Sequence, residues 1–423
     1  MEPNANGNSE GLNRRGFLQA GGVAATAITG AFAGRDAIAA QAKGEKAKGD
    51  AKAAATARKL PTRTLGKTGV DVTMLNIGTW QNPGTDRLIR FAYASGVRVF
   101  DTADCYGSEP AFNRWFQAAP EVRKNIFLVT KDHPRQGPKQ LIGLLDKRLE
   151  KLGTDYVDLF FIHGIGPGEY GKESLNWPKS KEFREVAEAI KKSGKARFVG
   201  FSCHDRLRAE YLQAAADGGF VDAIMLQYTP WIPKDSPLNK ALDACHEKGI
   251  GLISMKQITG ASDKILKEVP KRMPSLIEKG LTAYQALLHA IWTDERISMS
   301  CVSMKNVEQI RMNTDAALRY EPMKTAEIES LRDAYLAAGP TFCGDCDGRC
   351  GRAAGTEASL GDLTRLLTYH DQYGSRREAK RLYAELSESE RDWTGADLEA
   401  ARAACHNNLD FANLLPRAVR VLS

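Results

Sequence analysis

From about residue 60 onward, a short apolar run rich in β-branched residues is followed by an amphipathic helical stretch, and the unit recurs eight times. The runs fall at 73–79, 98–103, 126–131, 157–163, 198–202, 223–228, 251–256 and 299–304. Between them lie helical patterns such as Pro138 to Leu152, where Leu141, Leu144, Leu145 and Leu149 share a face, and Thr282 to Thr293. Strands that alternate with helices must run parallel, because each helix carries the chain back to the same edge. Eight such units within residues 60–338 predict an α/β fold, a closed (β/α)8 TIM barrel. A doubly wound open sheet is the alternative. No strand, however, is followed by the Gly-x-Gly-x-x-Gly turn with which such a sheet holds a dinucleotide.

Barrels of this kind place their active sites at the carboxyl ends of the strands, so the residue closing each run is the informative one. In order these are Asp101, Lys131, His163, Ser202, Gln227, Lys256 and the turn Ser303-Met304-Lys305. Polar groups closing seven of eight apolar strands are hard to explain by packing alone. The same ends carry no His-x-His pair and no clustered carboxylates, which counts against a metal-dependent hydrolase.

These residues resemble the aldo/keto reductase family. Arg63-Thr64-Leu65-Gly66-Lys67-Thr68-Gly69 is similar to the hairpin that opens its barrel, and Phe100 to Gly107 (Phe-Asp-Thr-Ala-Asp-Cys-Tyr-Gly) matches the signature after its second strand. Val129-Thr130-Lys131 and Ile162-His163 end the third and fourth strands as in that family, and the likeness runs from about 62 to 318. It implies a catalytic tetrad of Asp101, Tyr106, Lys131 and His163. Carbonyl reduction needs a proton at oxygen, and a phenol that ordinarily holds its proton to about pH 10 is a poor acid near neutrality. The expectation is that the Lys131 ammonium lowers the Tyr106 pKa, that Asp101 holds Lys131, and that neutral His163 orients the substrate oxygen.

The resemblance also implies a nicotinamide cofactor, NADP(H), lying across the barrel mouth. Ser202 and Gln227 match its carboxamide-binding positions, while Cys203 stands where Asn is usual. Ser303, Met304 and Lys305, followed by Gln309 and Asn313, resemble the turn and helix start that hold the phosphates and adenine, and Lys256 is a further phosphate candidate. A helix amino terminus beside a cation attracts an anion, and Lys305 would favour a 2′-phosphate. Gln309 replaces a common Arg, and Met312 a usually acidic residue. Trp80, Tyr170, Trp177 and Trp231 are candidates to line the pocket for a small-molecule carbonyl substrate.

Outside the barrel the sequence changes character. Asn13-Arg14-Arg15-Gly16-Phe17-Leu18, then a weakly apolar run from Ala20 to Ala33, is similar to a twin-arginine signal within residues 1–42. The translocase of that route would be a partner, and the location periplasmic or otherwise exported. The run is too short and Gly-rich for a stable membrane span. Residues 43–59, with six basic and two acidic side chains, read as a disordered linker that carries +4 of the chain's net +7, leaving +3 elsewhere. No nucleic-acid partner is expected from so small a remainder.

A chain of 423 residues needs no disulfides for stability, so its eight cysteines ask for another reason. Cys105, Cys203, Cys245 and Cys301 fall in the barrel and read as core. Cys343, Cys346, Cys350 and Cys405 fall in residues 339–423, a helical cysteine-containing module. It is similar to a cysteine-rich extension found on a subset of the family, but has three clustered cysteines rather than four and no Pro beside them. A [4Fe-4S] cluster on these four, zinc with His406 as an alternative ligand, and disulfides all remain open. A second functional reading follows: an exported iron-sulfur electron-transfer or redox-sensing protein on a barrel scaffold.

Overall fold

The computed structural model describes residues 59–423 except 81, 83, 258–262, 340, 342, 344–347 and 372–375, so the signal, nearly all of the linker and Cys346 lie outside the described residues. A hairpin of β1 (Thr62–Thr64) and β2 (Asp71–Thr73) precedes eight strands: β3 (Leu75–Gly78), β4 (Val99–Asp101), β5 (Phe127–Asp132), β6 (Val157–Ile162), β7 (Ala196–Cys203), β8 (Ala223–Gln227), β9 (Gly251–Met255) and β10 (Ile297–Ser303). All eight pair in parallel and close in the order β10-β3-β4-β5-β6-β7-β8-β9. The eight predicted runs are these eight strands.

Strand alternation divides the core in two. Val99, Phe127, Val129, Leu159, Phe161, Met225, Ile253 and Met299 fill the lumen, together with Leu65 and Val72 of the hairpin, which plugs its amino-terminal end. Leu75, Ile77, Phe100, Leu128, Phe160, Ile162, Phe201 and Leu226, one residue out of step, pack against the helices instead. Close packing inside leaves no room at Gly200, where a Cβ would stand 1.9 Å from the Ala223 carbonyl oxygen. Gly66 turns the hairpin with φ +48°, and a Cβ there would meet the Gly249 carbonyl oxygen at 2.3 Å.

The helices begin and end where local chemistry says they should. Thr282 and Gln285 form a capping box ahead of Ala283–Thr293, Ser180 caps Lys181–Lys192, and Gly153 at φ +64° stops Leu141–Leu152. After Thr325–Ala338, short helices at Arg349–Ala353, Leu360–Asp371, Arg376–Glu385, Glu388–Arg391, Leu398–Ala404 and Phe411–Leu422 gather around their own core of Leu360, Leu363, Leu367, Ala401, Phe411 and Leu415. This is the helical carboxyl-terminal module. Arg206, just past β7, lies 3.8 Å from Glu357 of the module, and Asn407 Nδ2 donates to the Gly339 carbonyl oxygen at 3.3 Å. Among the described residues no helix is long and apolar enough to cross a membrane.

Candidate active site

The inward register of the strands brings Asp101, Lys131 and His163 to the carboxyl end of the lumen from three adjacent strands. Lys131 Nζ lies 2.7 Å from Asp101 Oδ2 and 2.6 Å from Oδ1, donates to the Thr102 carbonyl oxygen at 2.9 Å, and stands 3.4 Å from the Tyr106 hydroxyl. Both charged side chains are almost wholly buried, at 1% and 3% exposure. Burial lowers the Lys131 pKa, but the carboxylate beside it outweighs burial and raises it above the ordinary value. Tyr106 is carried in by a turn of 3-10 helix (Asp104–Tyr106) that ends at Gly107 with φ +69°. Its ring meets that of His163 edge-on, with centroids 5.5 Å apart.

Two proton affinities decide what these groups can do. His163 is pushed down to about 4, first by burial and then by the Lys131 charge, so it is neutral at pH 7 as expected. The Tyr106 expectation does not hold in the ligand-free site: burial raises the phenol above its ordinary value, and Lys131 at 3.4 Å opposes this without reversing it. The phenol therefore holds its proton at neutral pH.

The remaining predicted positions divide. Ser202 is buried, and its Oγ accepts from the Gly164 backbone N–H at 2.8 Å, leaving its own hydrogen to donate. Gln227 is buried at the end of β8, on the lumen register. Cys203 lies in the helix-side cluster and its thiol donates to the Ile165 carbonyl oxygen, so it faces away from the lumen. Lys256 falls one residue past β9 in a left-handed conformation, φ 50°, exposed. Its charge, followed by desolvation and then the charge of Arg365 from the module, holds the His204 imidazole well below its ordinary value. Ser303 and Lys305 are exposed, Met304 is buried, and Gln309 Oε1 accepts from the Lys305 backbone N–H at 2.7 Å. Asn306, which sequence reasoning passed over, caps the helix Val307–Leu318 that begins there. Asn313 is buried two turns further on.

Several expectations need correction. Cys105 is not core but exposed, beside Tyr106. Trp231 is buried against Tyr335 and lines a cavity of the module, while Tyr170 and Trp177 pack on each other with the Tyr170 hydroxyl on the His163 carbonyl oxygen. Trp80 remains exposed at 40%. Among the described residues Cys105, Cys203, Cys245, Cys301, Cys350 and Cys405 form no disulfide.

Sequence reasoning missed three more residues at the mouth. Asp104, Cys105 and His133 surround His163, with His133 Nδ1 3.1 Å from Asp104 Oδ2 and the two imidazole centroids 4.5 Å apart. Their signal was adjacency: two stand in the Tyr106 turn and one lies two residues past Lys131. Beneath them Arg148 bridges Glu109 at 2.8 Å and Asp132 at 3.0 Å, fixing the end of β5.

The module holds a second cluster. Cys343, Cys350 and Cys405 line one cavity with His406, Trp231, Leu336, Leu409 and Phe411. A Cβ on Gly361 would lie 3.0 Å from Cys343 Sγ, so glycine makes the room that this sulfur occupies. His406 Nε2 is taken up by Arg349 at 2.8 Å. Burial pushes the Cys350 thiol up to about 11, with Cys405 adding to the rise.

Comparison with known proteins bears on the family and the fold. The family model described as "Aldo/keto reductase family" matches residues 74–333. An aldo-keto reductase of Mycobacterium sp. (strain JLS) is 26% identical over 285 residues, covering 63% of this chain and 91% of that one. L-Glyceraldehyde 3-phosphate reductase of Escherichia coli O157:H7 is 23% identical over 335 residues, covering 66% and 92%. Glycerol 2-dehydrogenase (NADP(+)) of Saccharomyces cerevisiae is 26% identical over 223 residues, covering 48% and 70%. The fold matches that of a thermostable aldo-keto reductase solved with the inhibitor epalrestat, with a TM-score of 0.52 at 22% identity over 65% of this chain and all of that one. Relatives of this kind favour an enzyme over a barrel that serves only as a scaffold. The family match covers well over half of the chain, and the chain therefore belongs to the aldo/keto reductase family and is an oxidoreductase acting on carbonyl and alcohol groups.

Proposed function

We propose that the protein reduces an aldehyde or ketone with NADPH, using Tyr106 as general acid. The observation that carries this reading is the line from Asp101 to Lys131 to the Tyr106 hydroxyl, with neutral His163 beside the phenol. Bound NADPH supplies the hydride. The Tyr106 hydroxyl donates its proton to the oxygen as negative charge grows there, and the Lys131 ammonium at 3.4 Å stabilises the phenolate left behind. Asp101 keeps that ammonium charged and in place. His163 donates a hydrogen bond to the same oxygen without competing for the proton. The residues fit the cofactor: Ser202 and Gln227 sit on the lumen register for a carboxamide, and the exposed Lys305 lies at the start of a 12-residue helix suited to phosphate. Ser303, Gln309 and Lys256 border that path, while Met304 and Asn313, both buried, shape the turn and helix beneath it.

Nicotinamide fluorescence titrated into the full chain is expected to change on binding, and Lys305→Glu to weaken NADPH by about tenfold or more while changing NADH little, since it reverses the charge beside the 2′-phosphate. Absence of any fluorescence change with the parent protein overturns the reductase reading.

The Arg14-Arg15 motif supports export by the twin-arginine route to the periplasm or beyond, a route that carries folded, cofactor-loaded proteins. Lysines at both positions should strand the protein inside the cell. The module cavity supports a [4Fe-4S] cluster on Cys343, Cys346, Cys350 and Cys405, because the three described cysteines of that set line one cavity. Arg349 on His406 argues against zinc there. Anaerobic purification is expected to give a broad visible absorbance that Cys350→Ser abolishes; a colourless parent protein with no bound iron overturns it.

A further inference from the structure

Four side chains at the barrel mouth are arranged as a metal site, although no strand carries the ligand motif that would announce one. One potential ligand atom from each of Asp104, Cys105, His133 and His163 lies within 4.8 Å of the other three, the one such group of three or more among the described residues. His133 Nδ1 stands 3.1 Å from Asp104 Oδ2, His163 Nδ1 stands 3.5 Å from Asp104 Oδ1, and Cys105 Sγ stands 3.8 Å from His163 Nδ1.

These separations can be compared with what a metal would require. Tetrahedral zinc with Zn–S about 2.3 Å and Zn–N or Zn–O about 2.0 Å places sulfur and nitrogen ligands about 3.5 Å apart, and nitrogen and oxygen ligands about 3.3 Å apart. The two nitrogen–oxygen spacings, one to each Asp104 oxygen, fall within about 0.2 Å of the corresponding tetrahedron edge and the sulfur–nitrogen spacing within about 0.3 Å, so the side chains already stand near ligand separation.

Charge and access agree with the spacing. A carboxylate and a thiolate neutralise a divalent cation, and two imidazoles complete a borderline-soft set that suits zinc, cobalt or nickel better than calcium or magnesium. Cys105 is exposed, which gives the ion a way in. The frame behind the ligands is fixed: Asp132 Oδ1 accepts from the His133 backbone N–H at 2.7 Å, and Arg148 holds Asp132 in turn.

We propose that Asp104, Cys105, His133 and His163 bind one zinc-class divalent cation at the mouth of the barrel. Binding releases the Cys105 thiol proton to solvent and places the remaining imidazole protons on Nε2. The site shares His163 with the carbonyl-orienting group, so occupancy also lowers carbonyl turnover; that consequence rests on the reductase reading, whereas the binding itself does not.

The test is titration of the reduced, chelator-treated full chain with Co(II), followed by displacement with Zn(II). Expected are tetrahedral d–d bands and a thiolate-to-cobalt charge-transfer band. Cys105→Ser and His133→Gln should each remove one equivalent of bound cobalt per chain and weaken zinc more than the about 10–100-fold that losing an outer-shell partner costs. Cys343→Ser should leave this equivalent in place, which separates it from metal held in the module. Because Cys105 is exposed, its serine variant is expected to fold as the parent does, with an unchanged circular dichroism spectrum and melt. Equal stoichiometry and affinity in the parent, Cys105→Ser and His133→Gln overturn the proposal, whatever the protein does with NADPH.

Discussion

Tyr106→Phe should lower aldehyde turnover by about 10²–10⁴-fold, the range over which a positioned general acid contributes, while NADPH affinity stays near that of the parent. The split is the informative part. Tyr106 touches Lys131 and faces His163, whereas the positions assigned to the cofactor phosphates lie on the turn after β10, so removing the hydroxyl subtracts a proton donor and little else. Phenylalanine fills the same half-buried space, and an unchanged melting curve would exclude misfolding as the cause. Steady-state kinetics with a reactive aldehyde, beside a nicotinamide fluorescence titration, reads both quantities from one preparation. A variant within about tenfold of the parent rate would mean that the proton comes from elsewhere, and then Tyr106 is not the general acid.

Why this site was legible is a matter of strand register. With side chains alternating across each strand, a polar residue closing an apolar run has to emerge either in the lumen or against a helix, and for Asp101, Lys131, Ser202 and Gln227 the lumen registers of Val99, Val129, Phe198 and Met225 decide it. The same rule exposes a limit at Cys203. Sequence alignment by motif places it beside Ser202 as a cofactor contact, but a neighbour on a strand must face the other way, and its thiol is spent on Ile165 in the helix layer. Lys256 escapes the rule, being one residue past β9 and turned by its positive φ.

What the sequence could not show is anything that depends on where loops meet. Asp104, Cys105 and His133 are ordinary loop residues in one dimension. They become a cluster with His163 only because closure of the sheet sets the β4, β5 and β6 ends side by side. Trp231 reads as a substrate-pocket aromatic for the same reason, and instead packs on Tyr335 and lines the cavity with Cys343, Cys350 and Cys405. That the module is helical was readable in the sequence. Its meeting with the loop after β8 was not.

The Asp101–Lys131 pair is expected to dominate stability as well as chemistry, and the sign can be worked out from burial. Each partner is nearly inaccessible, so removing one leaves the other as an uncompensated buried charge, at a cost of about 3–5 kcal/mol. Lys131→Met should therefore lower the denaturation midpoint strongly, and Asp101→Asn should do likewise by leaving the ammonium with only the Thr102 carbonyl and the Tyr106 hydroxyl. The double variant removes both charges and should cost less than the sum of the two single ones, because the penalty of an unpaired charge is counted twice in that sum. The dependence on pH separates this from simple loss of packing. Burial already raises the Asp101 pKa, and without Lys131 nothing opposes that rise. A carboxyl whose folded pKa lies above its unfolded value contributes its stability below the unfolded value, near 3.8, and loses it as pH climbs. Lys131→Met should thus be closest to the parent near pH 4 and furthest from it at pH 7. Strictly additive single effects that stay constant between those two pH values would show that the pair contributes volume alone, and that the charge on Lys131, on which the whole proton-transfer scheme depends, is not held by Asp101.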